Sequence, residues 1–252
     1  MAASDALEVS IEAATRGGAT CLANVELTMW GAAVHAIIGP NGAGKSTFLR
    51  ALAGLDPLRG FVRYAGKTLV PGAADLRARR VAWVPQEPSI PQGVTVADVV
   101  GLARAFRGES ARTISHHVHH ALERVRLDNQ SERLFETLSA GQRQRAVIAR
   151  ALATDAPVLL LDEPFSSLDL GASLALETLV SDLAREGSLV IVVVHDLAQA
   201  ARIAQTLHVL DRGRLVTSGP PRDVLTPDRL RTLWGVRARD ESFTSFELAE
   251  RP

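Results

Sequence analysis

Apolar and polar residues alternate from Leu7 to Ala13 and again from Val25 to Met29, the period-two pattern of half-buried strands. The turn residues Arg16-Gly17-Gly18 between them predict an antiparallel pair. Val34 to Ile38 is a continuous apolar run that reads as a buried strand, and Phe48-Leu49-Arg50-Ala51-Leu52 reads as helix. Phe61 to Tyr64 and Val81 to Val84 are further strands, after which Pro85, Pro88 and Pro91 break the chain. From Val94 to Thr154 the character is helical. Thr95 with Asp98 three residues later predicts a helix start, and Ile114, Val118, Ala121, Leu122 and Val125 repeat at helical spacing. Strand and helix alternate again through Val158 to Asp162, a helix after Leu170, Leu189 to Val194 and a helix from Leu197. Val209-Leu210 and Leu215-Val216 close a hairpin around Arg212-Gly213-Arg214. Alternating strands and helices imply an α/β sheet, interrupted by an all-helical insertion. The segment from Arg237 to Pro252 is polar and reads as a partly disordered tail.

Composition bounds the rest. The chain has 252 residues, 46% hydrophobic but only 4% aromatic, so its core is built from Leu, Val, Ile and Ala. Lys+Arg and Asp+Glu both number 28, which leaves no global basic field to recruit nucleic acid. Cys21 is the single cysteine, excluding an internal disulfide and a cysteine-rich zinc site and pointing to a reducing compartment. The N-terminus lacks the basic and apolar regions of a signal peptide, and the longest apolar runs are of strand length. A soluble, cytoplasmic protein is expected, with any membrane role exercised through a partner.

The chemistry begins at Gly39-Pro40-Asn41-Gly42-Ala43-Gly44-Lys45-Ser46-Thr47, which matches the phosphate-cradling pattern G-x-x-x-x-G-K-[ST] between a strand and a helix. Its glycines let backbone amides wrap a polyphosphate, and the helix start adds its positive dipole end. Lys45 supplies a cation for the β- and γ-phosphates, and Ser46 a hydroxyl for Mg²⁺. This context predicts a nucleoside triphosphate site.

A second motif, Leu138-Ser139-Ala140-Gly141-Gln142, precedes Leu159-Leu160-Leu161-Asp162-Glu163. With these the chain resembles the ATP-binding subunits of ABC transporters over about Leu7 to Val236. The resemblance implies an α/β P-loop NTPase (ABC ATPase) core with an antiparallel β-subdomain and an inserted α-helical subdomain. It spans residues 5–236, with the helical part at 88–155, ahead of a polar tail at 237–252. It also implies a metal role for Asp162, with Ser46 and Gln86, and a catalytic role for Glu163 in orienting the attacking water. Gln86 matches the family's Q-loop and His195 its switch histidine at the γ-phosphate. Ser139, Gly141 and Gln142 would act in trans, on ATP held by a second copy, and Ser167-Leu168-Asp169 resembles the D-loop crossing the same interface. The implied assembly is a homodimer sandwiching two ATP molecules with Mg²⁺, bound to two copies of a transmembrane permease at the cytoplasmic face of the membrane. A substrate-binding protein would act with it indirectly.

Two positions depart from the family pattern. Arg16 stands where most relatives place an adenine-stacking aromatic; a guanidinium plane can stack on a base, or Arg16 is a solvated turn residue and adenine is held elsewhere. Ala140 replaces the signature's first glycine, a methyl that crowds phosphate if that position requires positive φ and is harmless otherwise. Slower turnover is the largest effect expected.

The segments Val94 to Val100, His195 to Ala201 and Gly219 to Pro227 resemble the subgroup importing ferric siderophores, haem or cobalamin. Zinc and manganese importers carry similar strings, and a non-transport ABC ATPase is a further alternative. A nucleotide-binding subunit without turnover is disfavoured by the presence of Lys45, Asp162, Glu163 and His195. His116, His117, His119 and His120 read as a solvated helix surface rather than a metal site, because no carboxylate or cysteine completes a ligand set. The Arg77-Ala78-Arg79-Arg80 cluster reads as a solvated turn.

Overall fold

A computed structural model describes residues 5–249 apart from 73, 106, 167 and 241. The chain opens with β1 (Ala6–Arg16), β2 (Ala19–Trp30) and β3 (Ala33–Ile38), then α1 (Lys45–Leu52), β4 (Leu58–Tyr64), β5 (Lys67–Val70), α2 (Ala74–Ala78) and β6 (Val81–Val84). Three helices follow, α3 (Val96–Ala105), α4 (Ala111–Arg124) and α5 (Ala140–Leu152). Next come β7 (Val158–Asp162), α6 (Leu170–Arg185), β8 (Leu189–Val193), α7 (Leu197–Ile203), β9 (Thr206–Asp211) and β10 (Arg214–Gly219). The chain closes with α8 (Pro221–Val224), α9 (Pro227–Trp234), β11 (Val236–Ala238) and β12 (Phe246–Leu248). The short β5 and α2 are additions to the elements expected from periodicity.

The central sheet has the order β10-β9-β3-β8-β7-β6, parallel except at its β10 edge. Alternate residues of its inner strands enter two different cores. Val34, Ala36 and Ile38 of β3 join Leu159, Leu161, Val190 and Val192 on one face. Ile37 joins Val158, Leu160, Ile191 and Val193 on the other, against Phe48 and Leu49 of α1 and the inward residues of β1. Burial on both faces explains why these strands read as unbroken apolar runs. The second sheet, β2-β1-β4-β5, is antiparallel and alternates apolar-in with polar-out, as expected for a half-buried layer.

The helical segment is set by local chemistry at its start. Thr95 N donates to Asp98 Oδ2 at 2.9 Å, and Asp98 N donates to Thr95 Oγ1 at 3.1 Å, a reciprocal cap. The Thr95 hydroxyl, donating to the Asp98 carboxylate at 2.7 Å, and then the Thr95 amide lower the Asp98 pKa. In α4, Val118, Ala121 and Leu122 are buried while His116, His119 and His120 are exposed. Arg104 of α3 is buried and ties this segment to the start of the returning strand. It donates to Ala153 O at 2.5 Å, to Glu109 at 2.8 Å and 3.0 Å, and to Asp155. A guanidinium withdrawn from water requires such partners.

Two findings lay beyond the periodic pattern. His35 and His208 meet inside the central sheet, His35 Nδ1 lying 3.0 Å from His208 Nε2. His35 Nε2 reaches Trp30 O at 3.1 Å, and His208 Nδ1 reaches Ser218 Oγ at 2.8 Å. A carbonyl only accepts, so His35 Nε2 carries a proton; both neutral tautomers follow along the chain, with Ser218 donating to His208. The second finding concerns the polar C-terminal segment, expected to be partly disordered. Through residue 249 it is an antiparallel hairpin of β11 and β12 against α9. Its polarity is used locally: Asp240 accepts from Ser242 N and Thr244 N at 2.9 Å and 3.0 Å, and Glu247 from Arg237 and Arg239.

Candidate active site

A cleft of about 740 Å³ opens at the ends of the central strands. It is lined by Asn41, Gly42, Ala43, Gly44, Lys45, Ser46 and Thr47, together with Gln86, Glu163 and His195. Arg16, Thr20, Cys21, Arg212 and Gly213 complete the wall. The loop after β3 reaches α1 through Gly44, whose φ is 98°; a Cβ there would lie 2.8 Å from Leu22 Cδ2 and 3.0 Å from Cys21 O. Lys45 begins α1 and is buried, its Nζ donating to Gly39 O at 2.9 Å and Pro40 O at 3.0 Å. Burial pushes its pKa down, against the pull of Glu163 and Asp162.

Asp162 is the last residue of β7 and is buried. Ser46 Oγ donates to its Oδ1 at 3.0 Å, joining positions 116 residues apart. Burial pushes the Asp162 pKa up, the Ser46 hydrogen bond acts the other way, and the neighbouring Glu163 adds to the rise. A buried carboxylate beside a hydroxyl and a second carboxylate is a place where a hard divalent cation fits.

Glu163 turns the chain away from the strand with φ 50°, a left-handed conformation that non-glycine residues adopt chiefly where surrounding structure requires it. Both carboxylate oxygens are engaged. Oε2 accepts from Gln86 Nε2 at 2.8 Å and Oε1 lies 2.5 Å from His195 Nε2, while Ser166 Oγ donates to the Glu163 carbonyl at 2.8 Å. The structure thus brings Gln86, Glu163 and His195 together at the end of the phosphate loop.

Ser139, Gly141, Gln142 and Asp169 do not line this cleft. Ser139 caps α5: its Oγ accepts from Gln142 N at 3.3 Å, and Gln142 Oε1 accepts from Ser139 N at 2.9 Å. Asp169 caps α6 by accepting from Ala172 N at 2.8 Å. The two helix starts adjoin, since a Cβ at Gly141 would lie 3.4 Å from Ala172 Cβ. Leu170, on the same patch, is 76% exposed. Ser167 lies outside the described residues. Ala140 is the first residue of α5 and its φ is not positive, so the condition under which its methyl would crowd phosphate does not arise.

Thr20, Cys21, Arg212 and Gly213 were not among the residues expected at the site. The turn around Arg212-Gly213 was legible, but its destination was not. Gly213 N donates to Ala43 O at 3.0 Å and Ala23 N donates to Gly213 O at 2.8 Å, fastening the turn between the phosphate loop and β2. A Cβ at Gly213 would lie 2.3 Å from Cys21 O, which only glycine avoids. The α4 histidines take no part: His117 lies 3.3 Å from Asp155, and among the described residues no group of three His, Cys, Asp or Glu is placed to hold a metal.

Comparisons with known proteins place the chain in a family. Residues 22–166 match the family model described as ABC transporter. The chain is 42% identical over 234 residues to the hemin import ATP-binding protein HmuV of Bordetella pertussis, covering 88% of this chain and 89% of that protein. It is 41% identical over 208 residues to the cobalamin import ATP-binding protein BtuD of Halobacterium salinarum, covering 80% of this chain and 52% of that one. The solved structure of cbiO1 from Clostridium perfringens, part of the ABC transporter complex cbiONQ, superposes with a TM-score of 0.77 at 24% identity. The superposition covers 89% of this chain and 92% of that one, and shows a shared fold. With the phosphate loop, the strand-end Asp162-Glu163 pair and the capped Ser139 helix in one framework, the chain belongs to the ABC transporter family, as an ATP-binding subunit of an importer with ATPase activity.

Proposed function

We propose that this subunit is the motor of an importer for an iron chelate, haem or cobalamin, driven by closure of two copies around two ATP molecules. The observation that carries the catalytic part is the meeting of Gln86, Glu163 and His195 in the lining of the cleft. Glu163 orients and polarises the attacking water. His195 holds the Glu163 carboxylate on one side and reaches the γ-phosphate, and Gln86 holds it on the other. Gly39, Pro40, Asn41, Gly42, Ala43, Gly44 and Thr47 form the cradle, Lys45 transfers its ammonium from loop carbonyls to the β- and γ-phosphates, and Arg16 stacks on the base. Ser46, Asp162 and Gln86 would hold Mg²⁺, which when bound neutralises phosphate charge.

The patch carrying Ser139, Gly141, Gln142 and Asp169 lies away from its own cleft, with helix N-termini and Leu170 presented outward. That supports a role on the nucleotide of a second copy, in a homodimer. A site completed only on closure gates hydrolysis. A groove lined by Trp83, Leu102, Ala103 and Arg107 lies beside the strand leading to Gln86, and half-exposed Leu102 suits it to a permease contact. No described helix is long and apolar enough to cross a membrane. In this reading the subunit works at the cytoplasmic face of the membrane, attached through two permease copies and acting with a substrate-binding protein. The cargo class rests on relatives named for hemin and cobalamin import. Reconstitution with a candidate permease of the importer tests the reading: a ferric siderophore, haem or cobalamin presented with its binding protein should stimulate ATP hydrolysis. Stimulation by zinc or manganese instead would refute the cargo assignment.

A further inference from the structure

Besides the phosphate loop and the Gln86, Glu163 and His195 cluster, the cleft is lined by Arg16, Thr20, Cys21, Arg212 and Gly213, and among the described residues no Phe, Tyr or Trp ring lines it. Arg212 and Gly213 form a two-residue turn between paired Asp211 and Arg214, with φ of 46° and 75°. Two successive positive φ values define the hairpin turn that favours Asn-Gly or Asp-Gly. Arginine at the first position runs against that local preference, the kind of conflict that clusters at functional sites. Nothing in the fold explains it: among the described residues Arg212 makes no hydrogen bond or ion pair, and its side chain is exposed. The turn itself is fixed by its bonds to Ala43 and Ala23, so the Arg212 backbone is held at a set distance from the phosphate loop.

We propose that Arg212 is a nucleotide-binding residue, and that it and Arg16 hold the base end of the bound nucleoside triphosphate by stacking of their guanidinium planes. The site then selects its ligand by the triphosphate and hardly by the base. This rests on the reading of the cleft as the nucleotide site. A planar guanidinium stacks on any base, because every base has a π-face. The side chains that read an adenine edge bidentately are amides, and an arginine turned onto a base edge rather than its face would favour guanine. Of the two amides lining the cleft among the described residues, Asn41 belongs to the phosphate loop and Gln86 is engaged by Glu163.

The test is equilibrium titration of the full chain with Mg²⁺ and non-hydrolysable analogues of ATP, GTP and UTP, alongside inorganic tripolyphosphate. The parent should bind the three nucleotides within about threefold of one another, as stacking without edge readout requires. Arg212→Asn should weaken all three by about tenfold while leaving tripolyphosphate unchanged. Its melting temperature should hold or rise, because asparagine suits the turn. Arg212→Lys, which keeps the charge and loses the plane, should weaken nucleotides as Arg212→Asn does. Unchanged nucleotide affinity in Arg212→Asn, full affinity in Arg212→Lys, equal loss of tripolyphosphate, or a strong parental preference for one base would each overturn the proposal. A parent that bound neither ATP nor tripolyphosphate would instead overturn the assignment of the cleft.

Discussion

His195 Nε2 lies 2.5 Å from Glu163 Oε1, and the contact is a consequence of sheet register. Asp162 pairs with Val193 across β7 and β8, so Glu163, one residue past β7, and His195, two residues past β8, emerge side by side in the cleft. Neither residue is near the other in sequence. The parallel ladder alone aligns them.

Glu163→Gln should lower ATP turnover by about 10²- to 10⁴-fold, the usual span for a positioned proton acceptor. ATP binding should persist, and size-exclusion chromatography with light scattering should show an ATP-dependent dimer. Turnover at the parent rate would remove Glu163 from the catalytic role.

Asp162 is the buried half of the Ser46–Asp162 contact. Asp162→Asn should raise the Mg²⁺ concentration needed for half-maximal activity by about 10- to 100-fold, as changes around a metal site generally do. Chelation of the metal should abolish hydrolysis in the parent. A Mg²⁺ dependence equal to the parent's would show that Asp162 does not serve the metal.

Ala140 occupies the first turn of α5 with helical φ. Restoring the signature glycine with Ala140→Gly should therefore leave turnover within about twofold and cost at most about 1 kcal/mol of stability, the helix penalty of glycine. A large rise in turnover would show that the methyl does obstruct phosphate.

The buried histidine pair predicts a pH dependence of stability. Burial lowers the pKa of His208 from 6.5 to about 3, with the neighbouring His35 contributing, and burial also lowers that of His35. The folded state thus binds fewer protons than the unfolded chain below pH 6.5. The stability supplied by the neutral pair is complete above that value and is lost as pH falls toward 3. For His208 alone the slope is at most about 1.4 kcal/mol per pH unit. Urea unfolding at pH 7.5 and 5.5 should show the loss, and His208→Gln should flatten it. An identical slope in His208→Gln would place the titration elsewhere.

What the sequence determined by itself is what short-range physics encodes. The β1–β2 alternation, the phosphate loop between β3 and α1, and the reciprocal Thr95–Asp98 cap all depend on residues within a turn or a strand of one another. The glycines, Lys45 and Ser46 were legible as a site because their spacing is their geometry. The C-terminal hairpin was not legible, since its strands are three residues each and its order comes from side chains bonding their own turn. Tertiary structure decided the rest. It joined Ser46 to Asp162, set Gln86 and His195 on the two oxygens of Glu163, closed His35 on His208 inside the sheet, and pressed the Arg212-Gly213 turn against the phosphate loop. These partners meet only after parallel strands have paired in register across long crossovers. No local period records that register, because it is chosen by burial on both faces of the sheet at once.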